Sequence, residues 1–219
     1  MRTHSTSRSK PRTRAFTLVE MAAVMAVMAL LFSVGFHALG HSSAQARHVA
    51  TASVIGMLEQ ARATAITSRC AMVLALAEPG ELPTSDTRCR LGLFKIHEWP
   101  ADPTTLDGTL IGRWQTLPDS VVILPGGVNG LRNPRDEAPS TIRYFAAKQP
   151  VTGSFHILAF SPRGTLLWPP GSAPMVLRIA EGTYRNGQPT PNTHGSSHDA
   201  EENLLHIGRL TARPYQFDR

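Results

Sequence analysis

Cysteine is scarce in this chain, and so is any arrangement that would place a nucleophile. Only Cys70 and Cys89 occur among 219 residues, and two thiols alone make no convincing metal site. No Gly-x-Ser-x-Gly elbow and no phosphate-binding glycine loop is present, which removes the simplest routes to hydrolysis and nucleotide binding. His194 and His198 have the spacing of a helical zinc pair, but Asn192-Thr193-His194-Gly195-Ser196-Ser197 is loop chemistry, not a helix face. The three tryptophans, Trp99, Trp114 and Trp168, read as core or loop anchors, not as a ligand cage. No internal repeat is evident. The sequence makes no case for catalysis, and it implies no cofactor and no metal.

Charge is missing where it matters most. The first fifteen residues hold five Lys/Arg (Arg2, Arg8, Lys10, Arg12, Arg14) and no acid, and from Phe16 to Gly40 the only formal charge is Glu20. As a helix, the roughly 24 residues from Phe16 to Leu39 would reach about 36 Å, enough to cross a bilayer's hydrocarbon core. A basic flank before a spanning helix places the N-terminus in the cytoplasm. The oddity is Glu20, because a carboxylate inside an apolar span is expensive and usually has a partner. An ordinary signal peptide would have a shorter run. A plain single-pass anchor would have no use for the glutamate.

Ala15-Phe16-Thr17-Leu18-Val19-Glu20 followed by an apolar helix resembles the class III signal of type IV pilins and type II secretion pseudopilins. The resemblance implies cleavage between Ala15 and Phe16 by a prepilin peptidase, then N-methylation of the Phe16 amine. It also implies that Glu20 assists subunit assembly by neutralising the amine of a neighbouring pilin or pseudopilin subunit. A glutamate protonated in the membrane, without a fixed partner, is the physical alternative. The departure from the pattern is Ala15, where the family usually has glycine.

Beyond the span, residues 41–69 read as a second helical stretch, with Val54, Met57, Leu58, Ala61 and Ala65 on one face. The expected picture is one long helix, its first half in lipid or a filament core and its second half on a globular domain. The rest reads as strands: Ala71–Ala77, Arg90–His97, Thr109–Thr116, Val121–Leu124, Thr141–Ala147, Phe155–Phe160, Thr165–Trp168, Met175–Ala180 and Leu204–Thr211. The first two flank a turn-rich segment, Glu78–Thr87, and form a hairpin with a long tip. Thr141–Ala147 alternates in a way that suits a sheet with both faces partly covered. Gly182–Glu202 is polar and reads as a long exposed loop.

This order supports a narrower likeness. Val54–Leu76, Ile157–Gly164 and His206–Leu210 resemble the GspH/FimT branch of minor pseudopilins and minor pilins. The implied fold class is α+β and pilin-like, a long N-terminal transmembrane helix packed on a β-rich globular domain of antiparallel strands in two sheets. The expected divisions are a leader at 1–15, the transmembrane and assembly half of the helix at 16–40, its amphipathic half at 41–69, and a periplasmic β-rich domain at 70–219. The implied setting is the bacterial inner membrane, with a filament after assembly.

An exported domain would put Cys70 and Cys89 in an oxidising compartment, so a disulfide has to be considered. If 71–77 and 90–97 form a hairpin, however, Cys89 lies near Ala77, about 20 Å along the strand from Cys70, and a bridge needs Cα atoms within about 7 Å. The net charge of +6 invites a nucleic-acid reading. Loss of the five leader charges would leave 17 Lys/Arg against 16 Asp/Glu, so bulk charge gives it no support. The alternative function is a DNA-binding minor pilin, with Arg178, Arg185, Arg209, Arg213 and Arg219 as phosphate contacts.

Overall fold

The computed structural model describes residues 18–39, 42–82, 86–146, 148–192 and 201–217. They fall into two compact units, 1–42 and 43–219. The first holds helix α1, Leu18–Leu39. The second begins with helix α2, Ser42–Ser68. The single long helix expected from the sequence is thus described as two segments, with Gly40 and His41 outside the described residues.

Among the described residues twelve strands follow α2 in chain order: β1 Ala71–Ala77, β2 Arg90–Ile96, β3 Thr105–Leu110, β4 Gln115–Thr116, β5 Val121–Leu124, β6 Ser140–Ala146, β7 Gln149–Phe160, β8 Leu166–Trp168, β9 Met175–Arg185, β10 Gln188–Pro191, β11 Glu202–Ile207 and β12 Pro214–Phe217. They make two sheets, as expected, but one of the two closes on itself. β1 pairs with β2, β2 with β3, β3 with β6, β6 with β7, and β7 again with β1, which makes a small five-stranded barrel. The β3–β6 pair is parallel, a correction to the all-antiparallel expectation. Closure depends on β7, whose first half pairs β6 and whose second half pairs β1. Gly153 lies in that strand, and a Cβ there would fall 2.2 Å from the Phe155 ring. Glycine therefore lets the ring fold back over the backbone.

The barrel explains the composition of β1. All seven of its residues are buried. Ala71, Val73, Ala75 and Ala77 face the barrel interior, with Phe94, Ile142, Tyr144 and Phe155. Small side chains on one wall make room for rings on the others, as a narrow barrel requires. Phe94 meets Tyr144 edge-to-face at 5.1 Å and Trp114 at 5.6 Å. On the opposite face, Met72, Leu74 and Leu76 join Val54, Leu58, Ala61 and Ala65 of α2 and Leu177, Ile179 and Leu205 of the second sheet in one core. The helical face read from the sequence is the buried one. A buried hydrogen bond fixes α2 laterally: Asn203 Nδ2 donates to Thr51 Oγ1 at 2.9 Å. Arg47 adds ion pairs to Glu181 at 3.8 Å and Glu201 at 3.1 Å.

Several sequence expectations need correction. Thr109–Thr116 is not one strand: β3 starts earlier, ends at Leu110, and Gly112 (φ 77°) turns the chain before β4. β6 has one covered face, with Ile142 and Tyr144 buried while Arg143 is exposed and Phe145 is 73% exposed. Gly182–Glu202 is not one loop: β9 continues to Arg185, turns at Asn186-Gly187 (φ 51° and 76°) and returns as β10. That is the Asn-Gly hairpin signal. The strand expected at Leu204–Thr211 ends at Ile207, and β12 follows.

Candidate assembly helix

The apolar run folds as α1 because it holds no proline and strong helix formers, Ala, Leu and Met, make up more than half of it, outweighing Gly35 and the valines; the one acid, Glu20, lies in the first turn. A negative charge there meets the positive end of the helix dipole. Every described side chain from Leu18 to Leu31 is exposed, including Leu18 at 86%, Met25 at 68% and Leu30 at 67%. A helix that is apolar all round is one whose surroundings are apolar as well. Glu20 is exposed on the same helix. Among the described residues no helix is long and apolar enough to cross a membrane. The described side chains of α1 span only about 20 Å, against the ~30 Å of a hydrocarbon core.

Ala15 and Phe16, the expected cleavage and methylation positions, lie outside the described residues, as do Arg219, His194 and His198. The remaining arginines are not gathered into one patch of free guanidinium groups. Arg178 donates to Glu202 at 2.7 Å and to Pro125 O at 2.9 Å. Arg209 donates to Ala173 O at 3.2 Å and also to Pro169 O, and burial, helped by Arg132, lowers its pKa. Arg185 and Arg213 are exposed.

A cluster of titratable groups sits elsewhere, where the barrel meets the second sheet. Arg135 pairs with Glu78 and donates to Ile123 O. Tyr184 Oη accepts from Ile123 N–H at 3.3 Å. Asn133 is fully buried and organises the loop beside them, donating to Leu124 O at 2.8 Å and accepting from Arg135 N–H at 3.0 Å. Burial lowers the Arg135 and His156 pKa values and raises that of Tyr184. Burial also pushes the Cys89 thiol up to about 12, which keeps it protonated and unreactive. Cys70 and Cys89 are both free. Ala77 pairs with Arg90 and Ala71 with Ile96, so Cys89 lies at the tip end of the hairpin and Cys70 at its open end, in keeping with the register expected from the sequence. This cluster joins two sheets and holds no metal-type donor set: among the described residues no three His, Cys, Asp or Glu side chains converge. Of its members, only Asn133 carried a readable signal, the Asn-Pro step that opens the 3₁₀ turn Pro134–Asp136.

Residues 10–36 match the prokaryotic N-terminal methylation motif. No curated protein and no solved structure matches the chain. The matched stretch contains Ala15, Phe16, Glu20 and most of α1, and it supports a type IV pilin-like protein. The motif implies processing by prepilin peptidase and assembly with other pilin subunits, and the proteins that carry it are structural.

Proposed function

We propose that the chain is a minor pilin or pseudopilin of the GspH/FimT branch, a structural subunit of a type II secretion pseudopilus or type IV pilus. It is inserted in the bacterial inner membrane with its N-terminus cytoplasmic and residues 70–219 periplasmic. Prepilin peptidase cuts between Ala15 and Phe16, and Phe16 is methylated. The observation that carries this reading is α1 itself: an all-round apolar helix whose described side chains are exposed, with one carboxylate in its first turn, inside the methylation motif. Such a surface needs lipid or neighbouring apolar helices around it. In that low-dielectric setting a buried amine and a buried carboxylate each need the other. Glu20 then sets the register of one subunit against the next.

Mass spectrometry of the protein recovered from membranes tests the processing, and the expected N-terminus is a methylated Phe16. An intact Met1 on the assembled protein would refute the reading. Glu20→Ala is expected to leave cleavage and membrane insertion intact while reducing filament incorporation at least tenfold. Normal incorporation of that variant would remove Glu20 from the mechanism. A salt-dependent shift of DNA by the same protein would instead favour the DNA-binding alternative.

A further inference from the structure

The wall of the barrel has a gap. β3 pairs with β6 only over Thr105–Asp107 against Thr141–Arg143, then leaves it to pair with β2 through Gly108–Leu110. β6 runs on to Ala146 with β7 on its other side. Between the diverging strands lies an open slot of about 500 Å3, lined in part by His97, Gly108, Thr109, Tyr144, Phe145 and Val151.

Hydrogen-bonding phase determines what the two rims offer. Thr141 donates its N–H across this seam to Thr104 O at 2.8 Å. Backbone groups along a strand point alternately to its two sides, so Arg143 and Phe145 face the same way as Thr141. Arg143 still has β3 beside it, whereas Phe145 lies past the end of that pairing. On the other rim Ile111 donates to Leu93 O at 2.7 Å, so Thr109 also faces β2, and Gly108, which lines the slot, faces the other way and turns its C=O toward it. Phe145, beside its cross-strand neighbour Pro150, adds a ring that is 73% exposed. Arg143 and Asp107 bond each other at 2.6 Å near one end, so the rim does not call for a charged ligand.

We propose that this slot is a strand-acceptor site for an extended, uncharged segment of a partner protein. The segment enters between β3 and β6, pairs with the backbones of Gly108 and Phe145, and packs an apolar side chain on the Phe145 ring. A compact apolar molecule would leave those main-chain groups unmatched. An extended chain carries donors and acceptors on both of its edges. The slot's chemistry is independent of the filament role of α1.

The test uses the full chain in detergent micelles, titrated with a fluorescent, N-acetylated heptapeptide of alternating threonine and valine. A second peptide carries proline at its centre, and empty micelles provide the baseline. The alternating peptide is expected to bind saturably, and the proline peptide at least tenfold more weakly, because proline lacks the N–H a strand needs. Phe145→Asp, at an exposed position, is expected to weaken binding at least tenfold with an unchanged melting curve. Equal binding of the two peptides, no effect of Phe145→Asp, or no saturation by millimolar peptide would each overturn the proposal. Displacement of a second copy of the chain by the peptide would overturn the partner assignment and make the slot a contact between copies.

Discussion

Glu81 shows how one residue couples the fold to pH. Its Oε2 accepts the Glu78 N–H at 2.7 Å, and burial lifts its carboxyl from 4.5 to about 7. Its neighbour Glu78 is paired with Arg135, and the nearby Cys89 thiol is kept neutral by burial. A carboxyl whose pKa is higher in the folded state binds its proton more tightly there. Its contribution to stability is therefore full below about pH 4.5 and is lost as pH rises toward about 7. Glu81→Gln keeps an acceptor for the Glu78 N–H and removes the titration. The variant is expected to match the parent near pH 4 and to exceed it by about 1–2 kcal/mol at pH 8, after allowance for partial solvent screening. Urea titrations at the two pH values measure the difference, and an equal effect at both would rule out the linkage. Asp86 works in the opposite sense, since hydrogen bonds from Arg88 and Arg90 hold its carboxyl well below the usual carboxylate range.

At the scale of elements, β1 carries the most information, because its two faces serve two different cores. Ala75 faces the barrel interior, and Leu74 faces α2 and the second sheet. Ala75→Leu forces three extra carbons among Phe94, Tyr144 and Phe155, and overpacking of this kind costs about 1–3 kcal/mol. Leu74→Ala leaves a cavity instead and costs about 2–5 kcal/mol. Denaturant titration should show both losses, and near-UV circular dichroism should change more for Ala75→Leu because most of the rings, all three tryptophans among them, pack on that side. A neutral Ala75→Leu would mean that the barrel interior is not close-packed. The run Ala71–Ala77 was legible as a buried strand, and so were its hairpin partner and the apolar face of α2, because each is a local pattern. Barrel closure was not legible. It depends on β7 changing partners midway and on β3 pairing in parallel with β6, contacts between residues far apart in sequence. The Asn186-Gly187 turn is a readable hairpin signal, masked by the polar stretch around it. The candidate site divides in the same way: Glu20 stands out as a lone charge in an apolar run, whereas Arg135 meets Glu78 and Ile123 only once two sheets are in place.

For the whole molecule, the decisive contrast is between its two units. Among the described residues of 43–219 most large apolar side chains are buried in continuous cores, while α1 exposes Leu18, Val19, Met21, Val24, Met25, Val27, Met28, Leu30 and Leu31. A contiguous apolar surface of that extent is not stable in water and seeks lipid or other helices. Charge adds little to this, since removal of the leader would take the balance to 17 basic against 16 acidic residues. Membrane association should therefore follow α1 alone. Replacing Val24, Met25 and Met28 together by Asp adds about 2.5–3.5 kcal/mol per residue near the middle of the helix, against the ~0.3–0.6 kcal/mol that each apolar residue contributes favourably. The triple variant should lose flotation with phospholipid vesicles that the parent chain retains. Its β-type circular dichroism and melting temperature should stay unchanged, because the substituted residues lie outside the unit that holds the sheets. Flotation that survives all three substitutions would show that residues other than α1 bind the membrane. Loss of the β signal would show that the second unit needs α1 to fold.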